Sequence, residues 1–167
     1  PALAGHARLL LPRGEAEASR TTRLGGFASL LPYHTQVDAR DVVAGLNRLI
    51  EDAGAGRRVF VDIYSPADKA RDPTKADTGL FFLRGRPGAA FAVIAPGGGF
   101  SYVATVHEGL PYALAINRHG FNAFVLRYRV GQGGTAATED LAAALLTIFR
   151  QAEALQVRTE GYSLWGS

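Results

Sequence analysis

Five apolar residues in a row, Phe91-Ala92-Val93-Ile94-Ala95, run straight into Pro96-Gly97-Gly98-Gly99. An unbroken apolar run this short is what a strand covered on both faces requires, because alternate side chains point to opposite sides. A second such run, Phe121 to Tyr128, carries Phe121, Ala123, Val125 and Leu126. Between them, residues 110–119 read as a helix with Pro111 in its first turn and Gly120 at its end. Strand, helix and strand in this order predict a parallel sheet with helices packed on it.

The flanking sequence extends the pattern. From Asp38, a plausible N-cap, Val42, Val43, Leu46, Leu49 and Ile50 recur at helical spacing up to Gly54. That helix is expected either to cap a site or, as the plainer reading, to pack on the sheet. Residues 57–64 alternate, with Val59, Val61 and Ile63 on one face and Phe60, Asp62 and Tyr64 on the other. This predicts a half-exposed strand. Residues 65–78 read as a surface loop, and residues 79–83 as a second strand forming an antiparallel entry to the sheet. After the Gly131-Gln132-Gly133-Gly134 loop, a helix is expected from Thr138 to about Leu155, its stripe formed by Leu141, Leu145, Ile148, Ala152 and Leu155. Residues 162–165 then form the next strand. Residues 12–31 show no period and read as irregular.

Composition removes several classes of function. The chain has 167 residues, 47% of them hydrophobic, which is ample for a core. Eighteen basic and fifteen acidic residues leave a net charge of +3 without a basic stripe, so nucleic acid is not an expected partner. No membrane span or signal-like apolar stretch is visible. With no cysteine there is no disulfide, thiolate metal site or catalytic thiol. His6, His34, His107 and His119 form no pair at metal-ligand spacing, and no metal site is expected.

Three glycines after a buried strand let backbone N–H groups face a ligand without side-chain obstruction. Such a loop serves a phosphate or the oxyanion of acyl transfer. The phosphate reading fails on spacing. At its sixth position, counted from Gly97, the dinucleotide pattern meets Tyr102 instead of glycine, and no Gly-Lys-Ser/Thr follows for a P-loop. A structural turn is the remaining alternative.

Taken together, Pro96-Gly97-Gly98-Gly99-Phe100, then His107-Glu108-Gly109-Leu110-Pro111, then residues 120–129, and finally Leu164-Trp165-Gly166-Ser167 resemble the α/β-hydrolase superfamily. The likeness is to its acetyl esterase and acetylxylan-esterase-like carboxylesterases, and it covers about residues 60–167. The resemblance implies an α/β fold, a mostly parallel twisted sheet with helices on both faces, here apparently truncated. It divides the chain into an N-terminal extension and helix over 1–56 and the N-terminal part of the hydrolase domain over 57–167. Pro96 stands where related lipases carry His, a departure that points to the acetyl-esterase-like branch.

The same resemblance implies the site. Gly98 and Gly99 fall on the oxyanion hole, Phe100 and Tyr102 on the substrate pocket, and Gly166-Ser167 on the start of the nucleophile elbow, with the nucleophile just after Ser167. The acid and histidine follow the serine in this superfamily, so both are expected in a C-terminal remainder, and His107 comes too early to be the base. Glu108 reads as an acid at a helix start, favoured by the helix dipole. The implied function is serine-dependent hydrolysis of short-chain or acetyl esters through an acyl-serine, with a small-molecule ester as partner and no cofactor. The 167 residues alone are expected to be inactive. A noncatalytic binding protein or a serine peptidase on the same fold are the alternatives.

Overall fold

A computed structural model describes residues 3, 5–10 and 38–167. The irregular reading of 12–31 and His34 lie outside the described residues. Five strands form one mixed sheet in the order β1-β2-β4-β3-β5. They are β1 (Phe60–Val61), β2 (Gly79–Leu83), β3 (Ala90–Ala95), β4 (Asn122–Arg127) and β5 (Arg158–Gly166). β1 and β2 pair antiparallel, and β2 runs antiparallel to β4. β3 lies parallel to both β4 and β5, with Val93 opposite Phe124 on one side and Leu164 on the other.

The helices are α1 (Ala39–Gly54), α2 (Pro66–Arg71), α3 (Leu110–Arg118), α4 (Gly133–Arg150) and α5 (Ala152–Leu155). Each of the two longest has a local reason to start or stop where it does. The Asp38 side chain accepts from the Arg40 N–H at the head of α1, and Gly56 takes φ +74 just beyond its end. Gly133, at φ +71, opens α4 five residues before the expected start at Thr138. The Gly131–Gly134 stretch therefore divides between loop and helix. No helix among the described residues is long and apolar enough to cross a membrane.

Strand alternation sorts the side chains into two cores. On one face Phe81, Ile94, Ala123 and Val125 pack with Val42 and Leu49 of α1 and with Leu110 and Ala113 of α3. On the other, Leu80, Phe82, Phe91, Val93, Phe124 and Leu126 pack with Ala144 and Ile148 of α4. Helix α1 thus lies on the sheet, as the plainer of its two readings has it. The half-exposed strand expected over 57–64 is corrected in two respects. Only Phe60 and Val61 join the ladder, and Phe60 is buried against Phe81 at a ring separation of 5.1 Å, so both faces are covered there. The surface loop expected over 65–78 contains α2, started by a capping box in which the Ser65 hydroxyl accepts from the Asp68 N–H and the Asp68 carboxylate accepts from the Ser65 N–H.

A polar network ties β4 to α4. Asp140, fully buried, accepts from the Arg129 N–H at 2.6 Å and from Arg129 Nε at 3.0 Å. The Tyr64 hydroxyl donates to the same carboxylate at 2.7 Å, and Glu139 takes Arg129 Nη2 at 2.7 Å. A buried carboxylate is tolerated because every lone pair direction has a donor. Burial, followed by the hydrogen bond to Asp140 and its charge, holds the Tyr64 phenol well above the usual range.

Two expectations follow from these contacts. Phe124 is fully buried, stacked on Phe82 at 4.3 Å and edge-on to Phe91 at 5.8 Å. Phe124→Ala is expected to destabilise the fold by about 3–5 kcal/mol, measured by urea denaturation. The raised Tyr64 pKa has its own signature: above about pH 10 the unfolded chain loses that proton while the folded chain keeps it, so stability falls as pH rises. Tyr64→Phe should flatten the fall in urea midpoint between about pH 9 and about pH 11; an unchanged slope would show that Tyr64 is not its source.

Candidate functional site

The parallel strands set the location. β3 and β5 end side by side, Ala95 opposite Gly166, so residues 96–100 and Ser167 emerge at the same end of the sheet. Pro96 is buried and its carbonyl accepts from the Tyr128 hydroxyl at 2.7 Å, which anchors the root of the glycine loop to the end of β4. The loop then folds back on itself. The Gly98 carbonyl accepts from the N–H of Ser101 at 3.0 Å, and the Gly97 carbonyl from that of Ala104 at 2.9 Å. At its far side the Phe100 carbonyl takes the Gly131 N–H at 2.7 Å.

This path requires glycine. Gly98 sits at φ +135, and a Cβ there would lie 2.2 Å from the Tyr102 carbonyl oxygen. Gly99 at φ +57 and Phe100 at φ +59 are consecutive left-handed residues. For Phe100, which has a Cβ, that conformation costs about 1–2 kcal/mol. Strain of this kind persists only where surrounding contacts hold it, and it concentrates at binding sites. Among the described residues the Gly98 and Gly99 N–H groups have no protein acceptor. They remain as two adjacent donors for an oxygen supplied from outside.

Below the loop, three segments meet at one carboxylate. Glu108 lies on a π-helical turn, Thr105–Gly109, that leads into α3. Its Oε2 accepts from the Gly97 N–H at 2.8 Å and from the Ser167 hydroxyl at 2.6 Å, while the Ser167 Oγ also accepts from the Gly97 N–H at 3.1 Å. Gly97 has no room for a side chain in this triangle, since a Cβ would lie 2.8 Å from the Ser167 carbonyl oxygen. The turn itself is pressed inward: a Cβ on Gly109 would meet Val125 at 2.4 Å and Pro96 at 3.0 Å.

An open cavity of about 320 Å³ lies beside the loop, bordered by Pro96, Phe100, Leu126, Tyr128, Leu141 and Ser167. A lining this apolar suits a small acyl or alkyl group. Phe100 flanks it, its ring 6.4 Å from that of Tyr128. Tyr102, read with Phe100 as a pocket residue, does not border this cavity: its carbonyl closes on Gly98 and its ring lies 6.2 Å from the ring of His107. His107 is buried inside the π-helical turn. Gly166 ends β5, and the hydroxyl of Ser167 is engaged with Glu108 and Gly97.

Two residues of this site carry roles that sequence reading did not assign. Glu108 was expected to act on the dipole of its own helix, yet its carboxylate bonds the ends of β3 and β5. Tyr128 enters the sequence reading only as the last residue of the second apolar run, and it forms a cavity wall as well as anchoring Pro96. The only available signal for Tyr128 was its position at the end of a strand next to the glycine loop. Burial, followed by the nearby charge of Glu108, raises its phenol pKa.

No protein-family model matches the chain, and no curated protein sequence does. Solved structures do. An acetyl ester-xyloside bifunctional hydrolase from Caldicellulosiruptor lactoaceticus aligns with a TM-score of 0.55 at 23% identity, over 64% of this chain and 41% of that one. A thermophilic esterase from the planctomycete Thermogutta terrifontis, in a propionate-bound structure, aligns with a TM-score of 0.50 at 18% identity, over 65% of this chain and 40% of that one. The chain spans about two fifths of the length of each. With the strand order, the parallel β4-β3-β5 segment and the helices on both faces, this likeness makes the chain a member of the α/β-hydrolase fold.

Proposed function

We propose that this domain belongs to a serine-dependent carboxylic ester hydrolase acting on short-chain or acetyl esters. The observation that carries the reading is the pair of adjacent N–H groups of Gly98 and Gly99, without protein acceptors among the described residues, on a strained loop beside a small apolar cavity. Donors held in advance at the place where negative charge develops stabilise the transition state more than the ground state, because they need no reorganisation.

In this reading the residue after Ser167 in the whole protein is the nucleophile, delivered by β5 to the same end of the sheet. Its hydroxyl oxygen attacks the ester carbonyl carbon while a histidine from the C-terminal remainder takes the proton. The carbonyl oxygen becomes an oxyanion and accepts from Gly98 and Gly99. The alcohol leaves with the proton, and water then releases the acid from the acyl-serine. Phe100 and Tyr128 bound the space for the acyl group, and about 320 Å³ favours a short one. The solved relatives, a hydrolase of acetyl esters and an esterase, support the same chemistry.

Glu108 is a positioning residue here. By bonding Gly97 and Ser167 it sets the spacing between the oxyanion donors and the nucleophile's strand. Misplacement of pre-set donors by a fraction of an ångström weakens the transition state more than substrate binding.

The whole protein should hydrolyse p-nitrophenyl acetate faster than longer-chain esters, be blocked by a serine-directed organophosphate and keep its activity in EDTA. Activity lost to EDTA and restored by zinc would count against the reading. Glu108→Gln should lower kcat about 10–100-fold with KM changed little, less than the roughly 100–1000-fold that outright loss of one oxyanion donor costs. A residue that only stabilised the fold would instead lower the melting temperature and leave kcat per folded molecule unchanged.

A further inference from the structure

A different cavity lies at the opposite end of the sheet. Because β2 is antiparallel to β4, Leu83 pairs with Ala123 near the start of β4, whereas Gly79 pairs with Arg127 near its end. Arg84 follows Leu83, far from the glycine loop. It borders an open cavity of about 510 Å³ together with Arg48, Arg57, Asn122, Leu155 and Gln156.

The charges there do not balance. Asp52, buried, is shared by Arg48 Nε at 3.2 Å and Arg57 Nη1 at 2.6 Å. Arg58 donates to the neutral Gln151 side chain at 2.7 Å. Among the described residues neither Arg58 nor Arg84 has a carboxylate within ion-pair distance. Arg84 is half-buried, and among the described residues its guanidinium has one long hydrogen bond, to the Leu155 carbonyl at 3.4 Å. Its five N–H donors are otherwise unspent. Burial pushes its pKa down, the charge of Asp52 works against that, and the neighbouring charges of Arg57 and Arg58 push it further down. A guanidinium withdrawn from water among like charges costs stability unless an anion completes the set.

The walls are held in place before any ligand arrives. The Arg84 guanidinium lies over the Phe82 ring at 4.4 Å, which fixes its plane. The backbone behind it is fixed by Arg48 Nη2 donating to the Arg84 carbonyl at 2.7 Å and by the Gly85 N–H donating to Asn122 Oδ1 at 2.9 Å. Preorganised, planar donors with surplus positive charge match a compact oxyanion carrying two charges.

We infer that the Arg84 cavity binds the phosphate group of a small phosphate monoester. Arg84 supplies the central fork, Arg57 adds charge at the cavity's border and Arg58 adds it from nearby, and the cavity leaves room for the esterified group. A single-charged carboxylate would leave more of the positive charge uncompensated. This site is independent of the ester-hydrolase reading.

Isothermal titration of the whole protein with inorganic phosphate, at ionic strength fixed with sodium chloride, tests the inference. Saturable binding is expected, weakened about tenfold or more by Arg84→Gln, as the loss of a charged hydrogen-bonding partner requires. Arg58→Gln, at an exposed position, should weaken it less and covers the case in which Arg84→Gln does not fold. Acetate should compete poorly, and ester hydrolysis by the Arg58→Gln protein should be unchanged. Absence of saturable binding at millimolar phosphate, equal affinity in both variants and the wild type, or acetate competing as well as phosphate would each overturn the proposal.

Discussion

Everything in this fold is arranged around the burial of β4. From Asn122 to Arg127 the strand is inaccessible along its whole length, lying between β2 and β3 with helices over both faces. A strand in that position must have every backbone N–H and C=O paired within the sheet and apolar side chains on both sides. Ala123 and Val125 meet α1 and α3, while Phe124 and Leu126 meet α4. Two buried polar residues at or beside the strand have partners of their own. Asn122 spans two turns through Gly85 and Ala89, and just past the strand Arg129 is matched by Asp140.

The site inherits its geometry from that arrangement. β3 and β5 are parallel to β4, so their C-terminal ends coincide and the glycine loop, the π-helical turn and Ser167 converge. Tyr128 and Glu108 then convert proximity into fixed distances. One anchors Pro96 from the β4 side and the other joins Gly97 to Ser167. The left-handed pair Gly99 and Phe100 is sustained by these anchors and by the bond from Gly131.

The sheet was legible in the sequence where burial is two-sided, because Phe91 to Ala95 and residues 121–128 show an apolar run that admits little else. α1 was legible from its period and its Asp38 cap. What escaped was decided by single side chains or by distant contacts. The Ser65 and Asp68 capping box hid α2 inside a stretch rich in proline and charge. Two glycines hid the first turn of α4, since Gly133 needs a positive φ while Gly134 is already helical. β1 alternates like a surface strand, but Phe60 finds a partner in Phe81, twenty-one residues on in a separate strand. In the candidate site the glycine loop was read from local spacing. The role of Glu108 was not, because it depends on residues 97 and 167 being brought to the same place.

Gly109 links the two halves of this structure mechanically. With no side chain, it lets the turn carrying Glu108 rest directly on Val125 and Pro96, leaving no soft layer between the core and the loop. Close-packed interiors transmit displacement instead of absorbing it. A change of one methylene at position 125 therefore moves the floor on which the glycine loop stands. In an evolving lineage, drift in this part of the core and drift in the loop would have to occur together, so the hydrophobic interior acts as a record of the loop's shape.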